Sequence, residues 1–258
     1  MADAQAPSDD KAVVLITRVG SWIGAEEAVH FLKRGVTVIG VGRDPARVSR
    51  LCSALERHTA ANSEAGKFIP LIGVLTSTET QDEVIEHINR EGRLTAIVHN
   101  TGAYETDEFA DSPPVEQWER LQRALLEALP LFHRIRHILR RCKSRVIHVA
   151  SDDGSQIALP ANVALVAIKT AVNLHMAELA LLEPHVTSLA VHPGIGLSFT
   201  RGPAADDQES TADKQAGHAP RTDRLQPAGE LIVDLALTAD HSMSGQYYMY
   251  SEPDFLKN

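Results

Sequence analysis

Short runs of aliphatic and β-branched residues alternate along the chain with longer stretches in which apolar positions return every three to four residues. The first run, 12–16, reads Ala-Val-Val-Leu-Ile with no polar interruption, the pattern of a strand covered on both faces. Residues 22–33 then place Ala25, Ala28, Val29 and Leu32 on one helical face, and Gly35 ends that helix. The same reading predicts strands over 36–41, 68–75, 94–99, 146–150, 187–192 and 246–250. It predicts helices over 46–58, 81–90, 163–182 and 227–238. A further long helix starts at the Asp-Ser-Pro-Pro segment 111–114 and runs to 141, kinked at Pro130. Strand and helix in regular alternation predict an α/β fold, a doubly wound parallel sheet of about seven strands with helices on both faces. Residues 201–224 contain no large aliphatic or aromatic side chain and read as a mobile, lid-like loop, and 1–10 as a polar tail.

At 258 residues and 43% hydrophobic content the chain fits one domain, 1–258, with no internal repeat and no linker. Thirty-four acidic residues against 25 basic ones give a net charge of −9, which repels polyphosphate and anionic lipid, so neither nucleic acid nor membrane is an expected partner. The N-terminal dozen residues hold no apolar segment, and no later apolar run approaches the ~20 residues that span a bilayer. A soluble, cytoplasmic protein is expected. Cys52 and Cys142 have no nearby metal-ligand partner in sequence and read as two ordinary buried thiols, with no metal site.

In such a sheet the ligand crevice lies beyond the carboxyl ends of the strands. At those positions the chain resembles the short-chain dehydrogenase/reductase family over nearly its whole length. Thr17-Arg18-Val19-Gly20-Ser21-Trp22-Ile23-Gly24 stands where that family has a Thr-Gly-x-x-x-Gly-x-Gly turn. Asn100-Thr101-Gly102 resembles the end of its Asn-Asn-Ala-Gly motif, Ser151-x-x-Gly154 its serine segment, Lys169 the lysine of Tyr-x-x-x-Lys, and Pro193-Gly194 the turn after the sixth strand. The tail from Ser244 to Tyr247 has some likeness to sepiapterin-reductase-like members. The resemblance implies a Rossmann-type fold, NADP near Arg18, Gly24, Arg43, Asn100, Gly102, Lys169, Pro193 and Gly194, and a dimer or tetramer built through the two long helices.

The departures from the pattern are specific. Arg18 and Trp22 replace two glycines of the turn, so a side chain enters the space where a pyrophosphate meets a helix N-terminus. Trp22 is expected either to fill that space or to swing away, and Arg18 to offset part of the loss by pairing with phosphate. Arg43 after the second strand suits a 2′-phosphate, or else belongs with Asp44 to a solvated helix entry. Four residues before Lys169 stands Leu165, and no tyrosine occurs between Tyr104 and Tyr247, so the proton donor that the resemblance would supply is missing. Leu125 takes the place of the family's asparagine.

The candidate catalytic residues are therefore Ser151 and Lys169, with Asp153 or Tyr104 in support. Tyr104 reads equally as a loop aromatic, and Asp153, like Asp152, as a turn cap. His99 and His192 end two strands whose backbones would lie roughly 10 Å apart, too far for an easy shared metal, although either alone could act as acid or base. The leading expectation is a small-molecule crevice with non-redox chemistry: isomerisation, dehydration or cyclisation. The alternatives are an NADP-dependent oxidoreductase with a substituted proton donor, and a catalytically silent partner subunit.

Overall fold

The computed structural model describes residues 11–60, 62–100, 115–116, 118–119, 122, 129–150, 163–192 and 221–249, with the backbone course alone at 163–169, 221–226 and 249. These residues form β1 (Ala12–Thr17), α1 (Trp22–Lys33), β2 (Thr37–Gly42), α2 (Pro45–Thr59), β3 (Phe68–Ile72), α3 (Thr78–Glu91) and β4 (Arg93–Asn100). Then follow α4 (Leu129–Cys142), β5 (Arg145–Val149), α5 (Val163–Leu182), β6 (Thr187–His192), α6 (Arg221–Thr238), a short 3-10 turn and β7 (Tyr247–Met249). All seven strands are parallel, in the order β3-β2-β1-β4-β5-β6-β7. Strand order reverses between β1 and β4, so the crevice opens above their carboxyl ends.

Alternate residues of β1 feed two separate cores, which is why the strand carries no polar position. Val14 and Ile16 pack with Ala28, Phe31 and Ile232 from α1 and α6. Val13 and Leu15 pack with Val84, Ile135 and Leu179 from α3, α4 and α5. Each such valine, leucine, isoleucine or phenylalanine contributes roughly 1.5–3 kcal/mol by leaving water.

Local chemistry sets the helix ends. Ser21 caps α1 by accepting from the Gly24 amide at 3.1 Å, and Asp44 caps α2 with Pro45 in the first turn. At the far end of α1, Gly35 takes φ 74° while Val36 N donates to Phe31 O and Gly35 N to Leu32 O, a Schellman stop. Arg136 and Arg140 of α4 converge on buried Glu183 just past α5, and Arg134 reaches Asp82 of α3. The edge strand β3 carries an exposed Pro70 at its centre.

Several boundaries move relative to the sequence reading, two of them for a visible reason. β3 stops at Ile72 rather than 75: Gly73 N makes a last bond to Gly42 O, and the chain passes so close to α3 there that a Cβ on Gly73 would collide with Thr80 Oγ1. α6 begins at Arg221, so the last four residues of the expected loop 201–224 are helical and Pro227 lies inside the helix. Gly229 supplies the reason: a Cβ there would stand 2.8 Å from Glu26 of α1, so close packing of α6 on α1 outweighs the proline. The remainder of that loop, the tail 1–10 and the segment 111–114 lie outside the described residues. Among the described residues, no helix is long and apolar enough to cross a membrane.

Candidate functional site

The turn after β1 keeps its course despite the missing glycine. Arg18 takes φ 52°, a left-handed conformation that costs an L-residue roughly 1–2 kcal/mol and glycine almost nothing. Val19 N donates to Val41 O at 3.0 Å and Ser21 N to Arg18 O at 2.9 Å, which leads the chain directly into α1. Gly24 must stay small, since a Cβ would meet Arg18 O at 2.8 Å. The first glycine position has thus gained a side chain without losing its backbone shape.

A groove of about 270 Å³ opens beside this turn, lined by Arg18, Ser21, Arg43, Asp44 and Arg47 among others. Asp44 Oδ1 is committed to the amides of Ala46 and Arg47, and its Oδ2 lies 3.5 Å from Arg47 Nε. Three arginines less one aspartate leave the groove at +2 in a chain of −9. An anion is the ligand this charge favours. Trp22, half-buried at the first position of α1, is not part of the lining.

Asn100 joins the ends of β1 and β4 beneath the turn. Its backbone amide donates to Thr17 Oγ1 at 2.9 Å, and its side-chain amide donates to Thr17 O at 3.1 Å and to Glu27 Oε2 at 2.8 Å. Glu27 is fully buried, and burial pushes its carboxyl up to about 8 against the lowering effect of the Asn100 amide. Neither Glu27 Oε1 nor Asn100 Oδ1 has a hydrogen-bond partner.

On the α4/α5 side, histidines occupy neighbouring strands. His99 of β4 and His148 of β5 are register partners, with Nδ1 to Nδ1 at 3.0 Å, so one ring donates and the other accepts. His175 of α5 stands edge-on to His148 with ring centres 6.3 Å apart, and Phe132 of α4 packs against all three rings. Burial, then the neighbouring His99 and His175, hold His148 well below the ordinary imidazole range. Among the described residues, no group of three or more His, Cys, Asp or Glu is placed to hold a metal ion.

Ser151, Asp153, Tyr104, Gly102, Pro193, Gly194 and Leu125 lie outside the described residues, and Lys169 and Leu165 are placed by backbone alone on α5. The sequence reading passed over Arg47, Glu27, His148 and His175. Arg47 was recognisable as the residue one turn after Arg43. His148 was recognisable too, since it occupies in β5 the place that His99 holds in β4.

A parallel sheet with its reversal at β1/β4 and helices on both faces is a Rossmann-like α/β architecture. The family model for short chain dehydrogenases matches residues 12–209, and the chain belongs to that family, whose members typically bind NAD(P). It is 28% identical over 186 residues to the uncharacterized oxidoreductase YvrD of Bacillus subtilis strain 168, covering 70% of this chain and 67% of the relative. The short-chain dehydrogenase/reductase YIR035C of Saccharomyces cerevisiae superposes with a TM-score of 0.73 at 22% identity, covering 95% of this chain and 98% of that one. A short chain oxidoreductase of Pseudomonas aeruginosa PAO1 with an atypical catalytic center gives 0.71 at 20% identity, over 93% and 95%. At such identities the structures speak for the fold.

Proposed function

We propose that the chain is an NADP(H)-binding oxidoreductase of this family that works on a small carbonyl compound with a proton donor other than the usual tyrosine. The groove carries this reading. Its Arg18, Arg43 and Arg47 suit the 2′-phosphate that separates NADP from NAD, and the left-handed Arg18 backbone leaves the turn in the shape a dinucleotide needs. Arg18, Arg43 and Arg47 would bind the adenosine phosphate, and the Asn100–Thr17 hydrogen bonds would keep the crevice floor in place. The bound nicotinamide supplies or takes the hydride. Ser151 and Lys169 would orient the carbonyl, with Asp153 or Tyr104 in support.

Titration with NADPH and NADH, followed by the fluorescence of Trp22 and Trp118, tests this. Binding of NADPH at least about tenfold tighter than NADH is expected, one charge-assisted contact being enough for that ratio. Equal affinities, or no binding of either, would refute it.

A second reading, non-redox isomerisation, dehydration or cyclisation in the same crevice, is favoured by Leu165 at the tyrosine position. The two separate by the dihydronicotinamide absorbance, which falls in step with substrate only in the first. Assembly is part of the proposal. Leu174 and Leu181 on the outer face of α5 are 67% and 84% exposed, which supports a homodimer through the long helices. Leu181→Glu should then sediment as a monomer.

A further inference from the structure

The clustered histidines carry an inference that rests on the reading above and deepens it: the geometry points to a proton-transfer array, His175–His148–His99, running from Glu178 of α5 to the carboxyl end of β4. Three observations support it. The His99–His148 contact is a direct imidazole-to-imidazole hydrogen bond of 3.0 Å between adjacent strands, so a proton can pass between the rings without an intermediary. The Nε2 atoms of His148 and His175 are both buried and both lack a hydrogen-bond partner. Their rings, edge-on at 6.3 Å between centres, stand too far apart for a direct bond and suit one bridging water with two bonds of ~2.8 Å. At the outer end, His175 Nδ1 lies 3.6 Å from Glu178 Oε2, whose side chain is 64% exposed.

A purely structural role explains these side chains poorly. β5 reads Arg-Val-Ile-His-Val, and an aliphatic residue at 148 would fill the core without burying a polar nitrogen that finds no partner. A relay requires rings that are neutral at rest, each with one protonated and one bare nitrogen. His148 meets this requirement, since burial and then His99 and His175 disfavour its cationic form. The described groups around it are His99 from β4, Phe132 from α4, His175 from α5 and Ala190 from β6, with His192 two residues nearer the carboxyl edge on the same face of the sheet. No carboxylate among them would fix a charge on the ring.

In each transfer one N–H bond breaks as another forms. A proton arriving at His175 Nδ1 releases the one on Nε2 to the water, the water gives one of its own to His148 Nε2, and the proton on His148 Nδ1 passes to Nδ1 of His99. His99 then releases its Nε2 proton toward the crevice. No oxidation state changes, and reorientation of the rings and the water resets the tautomers before the next proton. The array supplies the proton that Leu165 cannot.

The test is imidazole proton exchange, read by long-range nitrogen–proton NMR on the full chain labelled in histidine. The shared His99/His148 proton should exchange with water at least about tenfold faster than the backbone amides of Ile147 and His99, and His175→Phe should slow it about tenfold or more while the amide rates stay the same. His175→Gln, which keeps a polar group able to hold the water but cannot relay, should slow it equally if the phenylalanine variant misfolds. Exchange that tracks the neighbouring amides in the unaltered protein, or that neither variant changes, would overturn the array. The measurement needs no cofactor or substrate, so it can fail while NADPH binding succeeds, or the reverse.

Discussion

The arginine groove and the histidine array flank the same reversal of strand order, yet they treat charge in opposite ways. The groove keeps its cations at the surface, holds Asp44 by helix capping and needs only a backbone turn for its shape. The array removes titratable rings from water and leaves two nitrogens without partners. Glu27 and Asn100, between them, share the second habit. The difference teaches that ligand capture here costs the fold little, whereas the face toward the chemistry is maintained against a desolvation penalty.

The largest effect expected is at the missing donor. Leu165→Tyr should raise NADPH-dependent reduction of diketones or quinones, at the lower end of the ~10²- to 10⁴-fold that general acid catalysis is worth, because the array already delivers protons. Steady-state turnover measures it, and an unchanged rate would mean that the donor is not what limits this crevice.

Stability against pH comes next and separates the two habits. Glu27 rises from its ordinary 4.5 to about 8 in the fold, so the folded state binds more protons than the unfolded one across that window and stability falls as pH rises through it. His148 falls from its ordinary 6.5, so stability falls as pH drops below 6.5. The two slopes oppose each other just below 6.5, and of the two Glu27 alone acts above. Urea midpoints should therefore show a loss of about 2 kcal/mol from pH 6.5 to 8, at ~1.4 kcal/mol per unit. Glu27→Gln, whose amide can also donate to Asn100 Oδ1, should abolish that limb.

Smaller effects belong to the groove. Arg47→Ala should weaken NADPH about tenfold, or ~1.4 kcal/mol, and leave NADH unchanged in isothermal titration. Arg18→Gly should relieve the left-handed turn and stabilise the protein by up to about 1 kcal/mol, while also weakening NADPH. Were that variant less stable, the arginine side chain would be contributing more to the loop than its backbone angle costs.

The fold was legible because β1, β2, β4 and β6 are covered on both faces and so announce themselves as unbroken apolar runs. The start of α6 was not, since its first turns carry Arg221, Asp223 and Arg224 in place of an apolar stripe, and the helix is seated on α1, distant in sequence, at Gly229. Arg18 misled in a different way: a residue type says what side chain is present, but not whether the backbone will accept a left-handed angle once neighbours fix it. Glu27 was hidden for the same reason. On a helical wheel it sits beside the apolar face, and only the Asn100 amide, 73 residues away, marks it as buried.

Pro70 has a consequence for how copies of the molecule avoid one another. A proline at the middle of a border strand withholds an amide from any incoming chain, so fibril-like growth along that side is obstructed at its first step. Crowded or partly unfolded populations should accordingly nucleate elsewhere, and replacing this one ring with valine would be enough to turn a guarded margin into an adhesive one.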